Sequence, residues 1–157
     1  GKKVAFVDPS SSSGYIYPGA MLVNAGLNLD KDISYQFSGG HDKSLQLLLN
    51  KDVDVIATFD GVEDRYVKDF PQAKTDIQKL ATSDMIPGIM VTTSSKMDKE
   101  LQEKLEKALR DIEKDPKMKE MFTKMFSITG FTDVDQDAYK KVEATAKVMN
   151  VDLDKVK

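Results

Sequence analysis

The chain has 157 residues, 40% of them hydrophobic and 31% charged, with a net charge of −3 and a pI near 5.2. That is the make-up of a globular protein long enough for one real core or for two small lobes, and its acidic balance runs against a nucleic-acid binder, which shows a basic face. With no cysteine and one histidine, a disulfide framework, a thiolate metal site and a cysteine nucleophile are excluded and a structural zinc site is disfavoured; no apolar run approaches the roughly 20 residues that span a bilayer.

Lys3–Val7 is predicted as a short buried strand, four of its five residues being apolar, and it stops at Asp8-Pro9. Four consecutive serines, Ser10 to Ser13, then lead through Gly14 into an apolar helical pattern running to about Asn24. Pro18 suits the first turn of that helix, and Gly26 is its C-cap candidate. A helix start exposes unpaired backbone N–H groups and partial positive charge, so a hydroxyl-rich turn there is a good seat for a phosphate-like anion. A serine run before a helix is also a common N-cap in a flexible turn.

Asn28–Asp32 reads as a polar connection and Ile33–Phe37 alternates as a second strand. Ser38-Gly39-Gly40-His41-Asp42 is the next strand-to-helix turn, and the helix over Asp42–Asn50 carries Leu45, Leu47, Leu48 and Leu49 for packing on a sheet. Val53–Phe59 is a third, β-branched strand ending at Asp60-Gly61, itself a common turn pair. A polar helix over Val62–Lys68, the Phe70-Pro71 break and a short strand at Ile77–Ala81 follow. Strands alternating with helices predict an α/β domain with a mostly parallel sheet, in which ligands sit at the carboxyl ends of strands. The turns at Ser10–Gly14, Gly39–Asp42 and Phe59–Gly61 all follow strands and are expected to line one edge.

The composition shifts near Pro87, the best candidate boundary. Ile89–Thr93 reads as one more strand, after which the chain becomes helical and charged. Asp98–Glu113 sets Leu101, Leu105, Ala108, Leu109 and Ile112 at helical spacing. Pro116 opens a helix whose Met118, Met121 and Met125 suit core or lobe-facing packing, and Asp133–Met149 puts Tyr139, Val142 and Ala146 on one side. The intervening lysines and glutamates are expected to form solvated faces with i,i+4 pairs.

Three segments carry a resemblance to a known family: the opening Gly1-Lys2-Lys3-Val4-Ala5-Phe6-Val7-Asp8-Pro9 with the serine turn and Tyr15-Ile16-Tyr17-Pro18, then Ser38-Gly39-Gly40-His41-Asp42, then Asp52-Val53-Asp54-Val55-Ile56-Ala57. With Ile86-Pro87 and the helix around Leu101 in the same order, the chain resembles the later part of a phosphate-, phosphite- or phosphonate-binding solute-binding protein of an ABC importer, a PhnD-like periplasmic binding protein. The resemblance implies a periplasmic-binding-protein-like α/β lobe over residues 1–86 and, over 87–157, a crossing strand and helices of an incomplete partner lobe. It implies a chain lacking the N-terminal part, so that half of a two-lobed cleft lies outside it and a second copy could supply contacts by swapping elements.

By position in that family, Ser11, Ser12 and Ser13 hold the phosphorus-bound oxygens, Tyr15 lies just past them, His41 reaches the same oxyanion, and Asp60 stands where an acidic residue meets the other end of some ligands. Binders of aminoalkyl ligands carry an acid just after the Ile-Pro crossing, whereas Gly88 and Ile89 follow here; that turns the expectation toward phosphate, phosphite or a simple phosphonate. The resemblance further implies a membrane permease as partner, no cofactor, no metal and no catalysis, and a periplasmic or cell-surface location, with a lipid anchor carried by the absent N-terminus. His41 is open to a plainer reading as a surface residue in a helix's first turn. If it does meet a phosphate, its pKa rises. Two other classes stand beside this one: a Mg-dependent phosphoryl-transfer enzyme with Asp8 as nucleophile, although no paired acid follows two residues on, and a ligand-sensing domain of a regulator.

Overall fold

The computed structural model describes residues 1–151; residues 152–157, which the sequence reading included in the second segment, lie outside the described residues. The chain forms two compact units, one of residues 1–87 joined by the segment from Asp137, the other of residues 88–136.

The first unit is built on a three-stranded parallel sheet in the order β2-β1-β3, with β1 at Lys2–Phe6, β2 at Ile33–Phe37 and β3 at Val55–Ile56. Val4 to Val7 are buried because β1 is the central strand, with a neighbour on each side and helices over both faces. Successive side chains of β3 point to opposite faces: Val55 joins Val4, Phe6, Leu22 and Ile33, whereas Ile56 joins Leu45, Leu49 and Val62. The helices α1 (Tyr17–Asn24) and α3 (His41–Leu49) thus supply the two outer layers. Helix α1 ends as its glycine predicted. Gly26, at φ +89°, donates to Val23 O while Leu27 N–H reaches Leu22 O, closing the last turn on a left-handed residue. The polar connection before β2 is a single helical turn, α2 (Leu29–Asp32), capped by the Asn28 side chain.

The third strand is shorter than its β-branched run because it is an edge. Its ladder to β1 is closed at one end by the Asp54 carboxylate, which accepts Lys3 N–H at 2.8 Å, and at the other by Ala57 N–H on Ala5 O at 3.0 Å. Beyond Ala57 the backbone ladder does not continue among the described residues, and the chain peels away into α4 (Val62–Arg65) and α5 (Ala73–Asp76). The strands expected at Ile77–Ala81 and Ile89–Thr93 do not form among the described residues. An apolar, β-branched run becomes a strand only when a neighbouring backbone takes up its N–H and C=O groups; here Leu80 and Ile89 are 72% and 70% exposed.

The last described helix, α8 (Gln136–Val148), was grouped by sequence with residues from 87 onward. It packs instead on the first unit, where Ala146, Val142 and Met149 meet Ile16 and Tyr17. A side chain at Gly19 would overlap the end of Met149, so the glycine permits this close approach.

The second unit carries α6 (Lys99–Asp111) and α7 (Pro116–Phe126), joined by a 3-10 turn. Asp98 and Asp115 cap their N-termini, Asp115 accepting from Lys117 N–H at 2.8 Å. The charged faces form the expected i,i+4 pairs, Lys104 with Glu100 at 2.6 Å and Arg110 with Glu106 at 2.9 Å. Leu101, Leu105, Met118, Met121 and Met125, expected as packing residues, are exposed within this unit. Among the described residues no helix is long and apolar enough to cross a membrane.

Candidate functional site

All three strands are parallel, so their carboxyl ends share one edge. With order β2-β1-β3, the chain leaves β1 toward β2 on one side and reaches β3 on the other. That makes the gap between the β1 and β3 loops a topological switch point, where open α/β sheets hold ligands.

The loop after β1 is the serine turn. Asp8 sets it, its backbone carbonyl accepting Ser11 N–H at 3.1 Å and its side chain accepting both the N–H and the hydroxyl of Ser10. Ser11 is the N-cap and takes Gly14 N–H on its Oγ at 3.0 Å. Both Tyr15 N–H and Ile16 N–H converge on Ser11 O, and Tyr17 N–H on Ser12 O, so the first turn, Ser12–Ile16, is a widened π turn that runs on into α1. Val7 N–H on Gly14 O at 3.0 Å folds the loop back onto β1. Gly14 has no room for a side chain, since a Cβ would stand 2.5 Å from Val7 Cβ. The backbone N–H groups and hydroxyls of Ser12 and Ser13, half-buried, have no partner among the described residues.

The second loop is tied to the first. Ser38 N–H and Gly39 N–H continue the ladder onto Phe6 O and Val7 O at 2.8 and 2.9 Å. Ser38 Oγ donates to Gly40 O and meets the fully buried Ser44 hydroxyl at 2.7 Å, which fixes where α3 begins. Helix α3 therefore opens beside the serine turn, with Gly40 as an N-cap that offers no side chain. His41 is its first residue. Its Nδ1 lies 2.9 Å from Thr58 Oγ1, two residues past β3, and its ring makes a T-shaped contact with Phe59, centroids 4.8 Å apart. Burial pushes the imidazole pKa below its ordinary value, while the carboxylates of Asp8 and Asp42 pull it back up. The β1 and α3 turns adjoin at the sheet edge, where Gly39 N–H is bonded to Val7 O.

The remaining two predicted residues are engaged elsewhere. Tyr15 packs edge-to-face on Phe6 at 5.0 Å and on Phe37 at 5.2 Å, within an aromatic cluster that includes Tyr35. Burial raises its phenol pKa, helped by Tyr35 and Asp30, neither of which belongs to the sheet edge. Asp60 stands at the end of the β3 loop, exposed, in an ion pair with Lys79. Lys79, with help from Gly61 N–H, holds its carboxyl below the usual range. The structure therefore sets Ser11, Ser12 and Ser13 in the loop after β1 and His41 at the start of α3, two neighbouring loops tied by Gly39 N–H on Val7 O, while Tyr15 packs on Phe6 and Phe37 and Asp60 pairs with Lys79.

Sequence reasoning passed over Thr58 and Lys79. The position of Thr58, immediately after the apolar run of β3, was the available signal; the pairing of Asp60 with a residue 19 positions on had none.

The architecture is that of an α/β periplasmic-binding-protein-like lobe. Solved structures with this fold include XAC2383 from Xanthomonas citri bound to ATP, at TM-score 0.67 and 17% identity, and the same protein bound to chloride ion, at TM-score 0.61 and 18% identity. In both, 96% of this chain covers 58% of the other. Residues 1–139 match the family described as ABC transporter, phosphonate, periplasmic substrate-binding protein, and the chain belongs to that family. A curated relative is the phosphate-import protein PhnD of Mycolicibacterium smegmatis, 36% identical over 113 residues, or 67% of this chain. The chain spans 35% of that relative's length.

Proposed function

We propose that the chain is the oxyanion-holding lobe of an extracytoplasmic solute-binding component of an ABC importer, and that it binds a phosphorus oxyanion without chemical turnover before delivery to a membrane permease. One observation carries the reading: at the topological switch point, Ser12 and Ser13 present backbone N–H groups and hydroxyls that no other described residue uses. A helix start is where an anion gains most from such donors, and the family and the curated relative are described by phosphonate and phosphate.

The ligand we infer is phosphate, phosphite or a simple phosphonate rather than an aminoalkylphosphonate. A cationic ligand end needs an available carboxylate, and Asp60 is already neutralised by Lys79, while Gly88 follows Ile86-Pro87 in place of an acid. Asp8 acts in this reading as the lock of the serine turn rather than as a nucleophile, because one of its carboxylate oxygens is taken by Ser10.

The test is titration calorimetry with phosphate, phosphite and methylphosphonate, on the protein and on the Ser12→Ala/Ser13→Ala double variant. Hydrogen bonds to a charged group contribute about 1.5–3 kcal/mol each, so the double variant should bind roughly a hundredfold more weakly or worse. Equal affinities for the two proteins would refute the site.

A further inference from the structure

His41 is held from one side. Its Nδ1 meets Thr58 Oγ1 at 2.9 Å and its ring edge meets Phe59, while Nε2 has no partner among the described residues. In a histidine the role of one ring nitrogen is set by what the other bonds to. A hydroxyl is the neighbour that serves every state of the ring, since it both donates and accepts. With Thr58 donating to a bare Nδ1, the ring proton stays on Nε2, the donor that an oxyanion needs. With the ring charged, Thr58 accepts from Nδ1–H and Nε2–H keeps its direction.

Thr58 is also well fixed. It follows Ala57, whose N–H is bonded to Ala5 O of the central strand, and its β-branched side chain has a restricted χ1. The charged groups that act on His41 are Asp8, from the loop after β1, and Asp42, from its own helix. Both favour a protonated ring, and a bound oxyanion would add to them.

We propose that Thr58 is a positioning residue of the anion site: it grips His41 by Nδ1 and so turns Nε2 toward the bound oxyanion. The proposal rests on the reading that a phosphorus oxyanion sits at the serine turn. Thr58 does not touch the ligand; it acts through His41.

A double-mutant cycle tests it, with inorganic phosphate and methylphosphonate as probes in calorimetry on Thr58→Val, Thr58→Ser, His41→Gln and the Thr58→Val/His41→Gln pair. Loss of one neutral hydrogen bond predicts that T58V weakens binding roughly fivefold to tenfold. T58S should recover most of that loss, because it keeps the hydroxyl. The pair should bind no more weakly than H41Q alone, the signature of residues acting through one contact. Thr58→Ala, run alongside, guards against a packing effect peculiar to valine and should behave as T58V does. Additive losses, or T58V matching the wild type while H41Q is impaired, would overturn the proposal and leave the serine site standing. A wild-type protein that takes up neither probe would overturn the site and the proposal together.

Discussion

The turns after β1 and β3 read alike in the sequence: an apolar strand, polar residues, a glycine, then a helix. In the structure they do opposite things. The serine turn uses its internal bonds, Asp8 with Ser10 and Ser11 with Gly14, to fix its own shape, and leaves the donors of Ser12 and Ser13 uncommitted. The Asp60 turn satisfies itself outward, pairing its carboxylate with Lys79 on the surface. Polar residues at a strand end therefore mark a site only where the local fold leaves them unspent, and an anion seat also gains from a nearby negative charge being cancelled.

Their glycines differ in kind, and this gives the largest expected effect. Gly14 is required by space: a Cβ would stand 2.5 Å from Val7 Cβ and 2.8 Å from Ser11 Oγ. Gly61 has open space around it but sits at φ +82°, where an L-residue is strained. Forcing a methyl into a packed site costs about 1–3 kcal/mol. We therefore expect Gly14→Ala to lower stability by that much in urea denaturation and to abolish oxyanion binding, because Ser11 can no longer cap the turn. Gly61→Ala should cost about 1 kcal/mol from its left-handed backbone and leave binding intact. Equal binding losses in the two variants would erase the distinction between the turns.

Much of the first unit was legible in the sequence because it is written in local patterns. The second strand has the bounds its alternation predicted, Ile33–Phe37, and the serine and Gly-Gly-His turns fall at strand ends as the spacing required. What escaped is non-local. Whether Ile89–Thr93 pairs depends on a neighbouring strand, which its own residues do not encode. The ring of Tyr15 is directed by Phe6 and Phe37, and the carboxylate of Asp60 by Lys79. The amphipathic pattern of α8 shows that a face is buried, but not on which unit. His41 and Thr58, 17 positions apart, meet because β1 lies between two parallel neighbours.

A smaller effect separates His41 from the rest of the chain. It is the one histidine, so it dominates side-chain titration between about pH 5 and pH 7. Burial holds its pKa low against the pull of Asp8 and Asp42, so the unfolded chain takes up the proton more readily than the folded one. The resulting stability is complete above about pH 6.5, its ordinary value, and is lost as pH falls through the folded value. The urea midpoint should therefore drop between about pH 7 and about pH 5 in the wild type and stay nearly level in His41→Gln. Saturating phosphate should shrink the drop, because an adjacent anion favours the charged ring.

The smallest effect probes the Asp60 turn directly. Lys79→Met leaves an exposed carboxylate with no counter-charge at the end of the β3 loop, on the same sheet edge as the serine turn. An anion approaching Ser12 and Ser13 would then meet uncompensated negative charge, and its affinity should fall modestly in low salt. Raising the salt to about 1 M, where the screening length shrinks to about 3 Å, should remove the difference. Asp60→Asn in the same background should restore affinity at low salt, since it deletes the charge that Lys79 cancels. Asp60→Asn alone should leave phosphate binding unchanged, because in the native turn that carboxylate is paired on the surface and not offered to the ligand. If Asp60→Asn alone weakens binding as much as Ser12→Ala/Ser13→Ala does, the two turns are equivalent after all and Asp60 belongs to the anion site.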